Sequence, residues 1–93
     1  MSYPLNNGPE VLVYTKPFCA YCMAAKSLLR DKGVSFREID ISRDDAERND
    51  LVQRTGQRTV PQIFVGTKHV GGFDDLSALD QQGQLDALLG IHG

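Results

Sequence analysis

The segment VLVYTKPFCAYCMAAKSLLRDKG, residues 11–33, decides how this chain folds. Its first five residues, Val11 to Thr15, are apolar or β-favouring and suit a buried strand. Lys16-Pro17-Phe18 breaks that run. From about Ala20 to Lys32 the pattern turns helical: Ala24, Ala25, Leu28 and Leu29 recur at three- to four-residue spacing, with Lys26, Ser27, Arg30 and Asp31 opposite them. Gly33 stands where a helix end favours a residue that tolerates positive φ. Val34 to Ile41 alternates loosely, with Val34, Phe36, Ile39 and Ile41 apolar, and predicts a second strand. Strand, helix and strand joined by short turns imply a right-handed βαβ unit with parallel strands.

Further along, Ser42 or Asp44 is expected to cap a second helix, from about Asp45 to Arg54, ended by Gly56. Its apolar residues are few, mainly Ala46, Leu51 and Val52, so it is expected on the surface. Val60 to Val65 reads as a third strand, and Gly66-Thr67-Lys68 as a tight turn into His69-Val70, making an antiparallel hairpin. Asp74 or Asp75 is expected to cap a third helix with Leu76, Leu79, Leu85, Leu88 and Leu89 facing inward, split in two by Gly83. Upstream, residues 1–9 carry Pro4, Asn6, Asn7, Gly8 and Pro9 and read as a flexible leader, leaving 10–93 as a single domain. The order is βαβ, then αββα. That is an α/β chain with a four-stranded mixed sheet and helices on both faces, the thioredoxin-like arrangement.

Bulk properties narrow the function. A chain of 93 residues supports one core. Hydrophobic residues make up 41% and charged residues 24%, which is ordinary for a globular protein and argues against disorder. The net charge of −2 offers no basic surface for nucleic acid. No apolar run approaches the ~20 residues of a membrane span, and no apolar signal segment follows the start, so a cytoplasmic protein is expected.

Two cysteines remain, Cys19 and Cys22. A secreted domain braced by disulfides carries more. A bridge across so short a loop constrains the unfolded chain little. Position suggests chemistry instead. A thiolate, not a thiol, attacks disulfides. Cys19 lies just ahead of the first helix, where unpaired N–H groups and the helix dipole favour negative charge, and Lys16 adds positive potential. Cys19 is therefore expected to be exposed and to favour its thiolate. Cys22, one turn on, should face inward and be less acidic. Cys19 attacks and Cys22 resolves. A zinc site is the rival, but zinc takes four ligands and only His69 and His92 are left to supply the others. Met23 reads as core filler, and His69 as a solvated hairpin residue without a role.

Thr59-Val60-Pro61 forms a second candidate element. Proline at a strand's first residue is tolerated. In this fold the loop before the third strand faces the helix that carries the cysteines. A cis Val60–Pro61 bond there turns the Val60 backbone N–H and C=O outward, ready to pair with an extended peptide.

With Cys19-Ala20-Tyr21-Cys22, Thr59-Val60-Pro61 and Gly71-Gly72-Phe73-Asp74-Asp75 in order, the chain resembles the glutaredoxins from about Val11 to Leu89. Thioredoxin itself lacks the Gly-Gly-x-Asp-Asp element, and residues 56–64 are especially similar to the small bacterial dithiol type. The resemblance implies a glutathione site beside the nucleophile. Lys16 and Gln57 would meet the glycine carboxylate, with Arg58 a further donor. Tyr21 would line the groove, and Val60, between Thr59 and Pro61, would pair its backbone with the cysteinyl part. Gly72, Asp74 and Asp75 would hold the γ-glutamyl end, the Asp74 N–H on its carboxylate and the Asp75 side chain on its ammonium. A ligand with two carboxylates and one ammonium needs donors at both ends and one acid.

The resemblance also implies the reaction: reduction of glutathionylated proteins, mixed disulfides and protein disulfides, with glutathione as reductant and a separate NADPH-dependent glutathione reductase behind it. The chain is expected to act as a monomer, without nucleic acid or membrane. Two departures stand out. Ala20 occupies a position where the family's dithiol motif usually has proline; in some relatives that loss accompanies a [2Fe–2S] cluster held between subunits, for which Cys19 would be the ligand. Phe73 stands where close relatives often have cysteine, which removes a third thiol.

Overall fold

The computed structural model describes residues 9–91. The expected leader, apart from Pro9, and His92 lie outside the described residues. Strand β1 is Val11–Thr15, helix α1 Ala20–Asp31, strand β2 Arg37–Asp40 and helix α2 Asp45–Thr55. Strands β3 (Gln62–Val65) and β4 (Lys68–Gly71) form the hairpin, followed by helices α3 (Phe73–Gln81) and α4 (Leu85–Leu89). The sheet order is β2-β1-β3-β4, with β1 parallel to β2 and the other neighbours antiparallel. This is the mixed four-stranded sheet expected from the sequence.

Strand alternation divides the interior. Val11, Val13, Ile63 and Val65 meet Ala25 and Leu29 of α1, Leu76 of α3, and Leu85 and Leu89 of α4. On the other face Tyr14 and Phe64 meet Leu51 of α2 and Ile41. The phase of α1 follows from that contact: Cys22, Ala25 and Leu29 are its buried residues, three and four apart. Met23 lies one step off this stripe and is 65% exposed, so the core-filling role expected for it does not hold.

Other boundaries shift for local reasons. Strand β2 is shorter than its apolar pattern, because its pairing with β1 runs only from Arg37 opposite Leu12 to Asp40 opposite Thr15. Val34 is buried in the larger cluster without joining the strand. Strand β3 begins at Gln62, since Pro61 has no N–H for the ladder. Asp44, not Ser42, caps α2, its side chain accepting the Ala46 N–H at 2.8 Å. Neither Asp74 nor Asp75 caps α3. Gly72 is the cap, and the two aspartates occupy the first turn. Asp75 is spaced so that its Oδ2 reaches back to the Gly72 N–H at 3.1 Å, which fixes the start of the helix one turn ahead of it. Gly83 separates α3 from α4 as its sequence position implies.

Candidate active site

Strand β1 delivers the chain to the amino end of α1, and Cys19 is the residue at which extended backbone becomes helix. Its φ of −114° and ψ of 107° let the side chain fold over the first turn, where Sγ accepts the Cys22 N–H at 3.2 Å. No acidic side chain occupies that first turn. The sulfur thus faces free amide dipoles of the right sign, uncontested by a carboxylate. Phe18, immediately before it, adopts φ 58° and is fully exposed.

Cys22 lies behind this sulfur at 1% exposure. Both cysteines are free thiols. The Cys22 thiol is pushed up from 9.0 to about 12, first by burial, then by its hydrogen bond to Cys19 and the charge there; the Lys16 backbone and the Lys26 ammonium pull weakly the other way. A group whose affinity for its proton rises on folding stabilises the protein below its unfolded value and loses that contribution as pH climbs toward the folded one. The window here is about 9 to 12. In the reduced protein, iodoacetamide at neutral pH is therefore expected to label Cys19 and spare Cys22, with both labelled after denaturation. Peptide mapping that found Cys22 alkylated first in the folded protein would reverse the assigned roles.

Across from Cys19, the Val60–Pro61 peptide is cis, and the Val60 carbonyl oxygen is 3.9 Å from Sγ. Beside this pair runs a groove of about 290 Å³. Tyr21 of α1 flanks it. Gln57, Thr59, Val60 and Pro61 of the loop before β3 form one wall, and Gly72, Phe73, Asp74 and Asp75 close its end. These include most of the residues expected from the sequence. Lys16 and Arg58 are exposed on neighbouring loops and are not among the described residues that line the groove.

The two ends of the groove differ in chemistry. At the α3 end, the first-turn amides of a helix meet the carboxylates of Asp74 and Asp75, so a carboxylate and an ammonium are both accommodated there. At the other end stands the neutral amide of Gln57. Two lining residues escaped sequence reasoning. Phe73, singled out in the sequence only for the cysteine it replaces, has its ring 6.1 Å from that of Tyr21, and both border the groove. Gln62 is a buried amide at the start of an apolar strand, and that polar residue opening QIFV was the available signal. His69 also departs from its expected solvated state. Its ring stacks on Phe64 with centroids 4.9 Å apart, and Nε2 is 2.7 Å from Gln62 Oε1.

For a metal cluster the arithmetic is simple. Cys22 is buried, so Cys19 is the one thiolate of this chain within reach of a [2Fe–2S] group, and the remaining ligands would come from outside it. Among the described residues there is no group of three or more histidine, cysteine or acidic side chains arranged to hold an ion.

Comparison with known proteins identifies the family and the fold. The family model for glutaredoxin matches residues 11–70. The chain is 53% identical over 80 residues to Glutaredoxin 3 of Escherichia coli (strain K12), spanning 86% of this chain and 96% of that protein. The solution structure of a glutaredoxin from Brucella melitensis superposes with a TM-score of 0.81 at 47% identity, covering 94% of this chain and 95% of that one. The crystal structure of a buckwheat glutaredoxin–glutathione complex gives the same TM-score at 35% identity, covering 94% of this chain and 84% of the other.

Proposed function

The chain belongs to the glutaredoxin family, and from that premise we propose that it is a glutathione-dependent thiol–disulfide oxidoreductase with Cys19 as nucleophile and Cys22 as resolving thiol. One observation carries the reading: a free thiol at a helix amino end, 3.9 Å from a backbone carbonyl of a groove whose far end is a second helix amino terminus.

The tripeptide lies in the groove with its γ-glutamyl end at Gly72, Asp74 and Asp75. Its terminal carboxylate meets Gln57, with Lys16 and Arg58 reaching in from the flanking loops. Its cysteinyl backbone pairs with Val60, between Thr59 and Pro61, and Tyr21 covers it. The Cys19 thiolate attacks the glutathione sulfur of a glutathionylated protein. A Cys19–glutathione disulfide forms as the original S–S bond breaks, and the departing protein thiolate takes up a proton. A second glutathione thiolate then attacks the glutathione sulfur on Cys19, releasing glutathione disulfide and restoring the Cys19 thiolate. The glutathionyl sulfur stays at the disulfide level throughout, and the incoming glutathione thiol is the reductant of the protein sulfur.

On a protein disulfide, Cys19 bonds to the protein sulfur and Cys22 attacks Cys19, leaving an internal Cys19–Cys22 disulfide. The environment of Cys22 fits this sequence. Part of what holds its proton is the hydrogen bond to Cys19 and the charge on it. Once Cys19 is in a mixed disulfide that charge is gone, and Cys22 gives up its proton more readily. The resolving thiol is thus quiet until it is needed.

Electrons come ultimately from NADPH through a separate glutathione reductase, and a cytoplasmic setting supplies both glutathione and the reducing conditions that keep the thiols free. The test couples the protein to glutathione, glutathione reductase and a glutathionylated peptide and follows NADPH. Consumption that depends on all three supports the reading. Turnover obtained only with a flavin reductase of the thioredoxin type, and not with glutathione, refutes it.

A further inference from the structure

Along the groove wall, on the α2 side of the sheet, a short file of polar contacts runs from His69 of β4 to Gln57. Gln62 is its centre and is 1% exposed. Its amide nitrogen donates to Gln57 Oε1 at 2.7 Å, to the Thr59 carbonyl at 3.1 Å and to Thr59 Oγ1 at 3.2 Å. Its Oε1 faces His69 Nε2 at 2.7 Å. These contacts fix every polarity in the file. A backbone carbonyl only accepts, so the nitrogen of Gln62 must face Thr59 and its oxygen must face His69. Two acceptors cannot bond, so His69 Nε2 carries a proton. With its oxygen occupied by Gln62, Gln57 keeps its NH₂ for a ligand. The His69 ring is held for this task by its stack on Phe64, its cross-strand partner.

We infer that His69 is a positioning residue of the groove: by donating Nε2–H to Gln62 it anchors the Gln62 amide, whose direction the Thr59 carbonyl sets, against Gln57, and so holds the Gln57 donor toward the terminal carboxylate of the bound tripeptide. The inference rests on the glutathione reading of the groove given above. Without the imidazole donor, Gln62 Oε1 is left buried and unpaired; the Thr59 carbonyl still forbids the amide to turn over, so the side chain loses its fixed place instead. Gln57 is then held less firmly by its oxygen, and its NH₂ is no longer fixed on the ligand carboxylate. His69 itself lines none of the groove, so its effect on the ligand passes through the two glutamines.

The experiment compares two disulfide substrates built on one peptide. One carries glutathione, and the other carries γ-glutamylcysteine, which lacks the glycine carboxylate. The quantity read is the ratio of kcat/KM for the two. The wild-type protein is expected to prefer glutathione. His69→Phe keeps an aromatic ring on Phe64, fills the space against water and removes the donor. It should lower the preference about tenfold, the scale of one charge-assisted hydrogen bond, through KM with kcat retained. Gln57→Ala should lower it similarly, and the double variant no further, because both changes break one line of contact.

The same preference in His69→Phe as in wild type, alongside a reduced one in Gln57→Ala, overturns the positioning role alone. Equal use of both substrates by wild type, or a Gln57→Ala variant that keeps the preference, defeats the assignment of Gln57 and this inference with it. Should His69→Phe fail to fold, the ring nitrogens of the wild-type protein decide by long-range proton–nitrogen correlation. A proton on Nε2 supports the file, and a neutral ring protonated only on Nδ1 overturns it.

Discussion

Cys19→Ser should abolish turnover on every disulfide, whereas Cys22→Ser should keep the reduction of glutathionylated peptides and lose only the reduction of protein disulfides. A serine hydroxyl ionises far too weakly to use the stabilisation that the α1 amino end offers a thiolate. It also forms no disulfide, so no intermediate can replace the missing one. A fall on the order of 10³-fold or more is the expected scale for removing a covalent nucleophile. Cys22→Ser leaves Cys19, the Val60 carbonyl 3.9 Å from it and the groove intact. The variant also exchanges a buried thiol for a hydroxyl of similar size, so a modest loss of stability accompanies it. With free glutathione withheld, the Cys22→Ser protein treated with a glutathionylated peptide should accumulate a glutathione adduct on Cys19, visible by mass spectrometry. Loss of all deglutathionylation in a folded Cys22→Ser protein would sink the division of labour between the two sulfurs.

The placement of the two sulfurs behind those proposed roles was legible in the sequence because helix phase is. Cys19 precedes the first helical residue, and Cys22 falls on the stripe with Ala25 and Leu29, so one sulfur is directed at the amide dipoles and the other at the core. The first strand was legible from the same kind of local evidence, an apolar β-favouring run from Val11 to Thr15. Met23 shows the limit. An apolar residue beside an apolar stripe looks like core until the phase is fixed to within one residue, and the helix places it outside. The polar file was illegible for a different reason. His69 and Gln62 are seven residues apart, and what joins them is the register of β3 and β4, including an irregularity between Ile63 and Phe64. No local pattern encodes that register. The cap of α3 lay between these cases. Asp74 and Asp75 announced a helix start, but the choice of Gly72 depends on a side chain reaching backward, and Asp75 does so only because Gly71 leaves room.

That room is the basis of the second large effect: Gly71→Ala is expected to destabilise the fold and cripple recognition of the γ-glutamyl end together. Gly71 has φ 118°, a conformation that residues with a Cβ rarely adopt. A Cβ there would lie 2.9 Å from the Asp75 carboxylate carbon and 3.2 Å from its Cβ, and closer still to Oδ2. Backbone strain costs about 1–3 kcal/mol, and displacing the Asp75 carboxylate from the Gly72 N–H adds about 1 kcal/mol. The same displacement moves the acid assigned to the ligand ammonium, so kcat/KM for a glutathionylated peptide should fall by one to two orders of magnitude, the scale of losing a charged hydrogen bond. Gly33→Ala separates strain from collision. Gly33 is also left-handed, at φ 75°, but an added Cβ there meets nothing within 4 Å. It should cost about 1 kcal/mol and leave kcat/KM unchanged. Removing the carboxylate in Asp75→Ala should make the further cost of Gly71→Ala smaller than in the wild-type background, because much of the collision is with that carboxylate. A Gly71→Ala protein as active as Gly33→Ala would mean that the Asp75 carboxylate contributes nothing to binding. Equal costs of Gly71→Ala in the two backgrounds would mean that the strand, not the side chain ahead of it, demands the glycine.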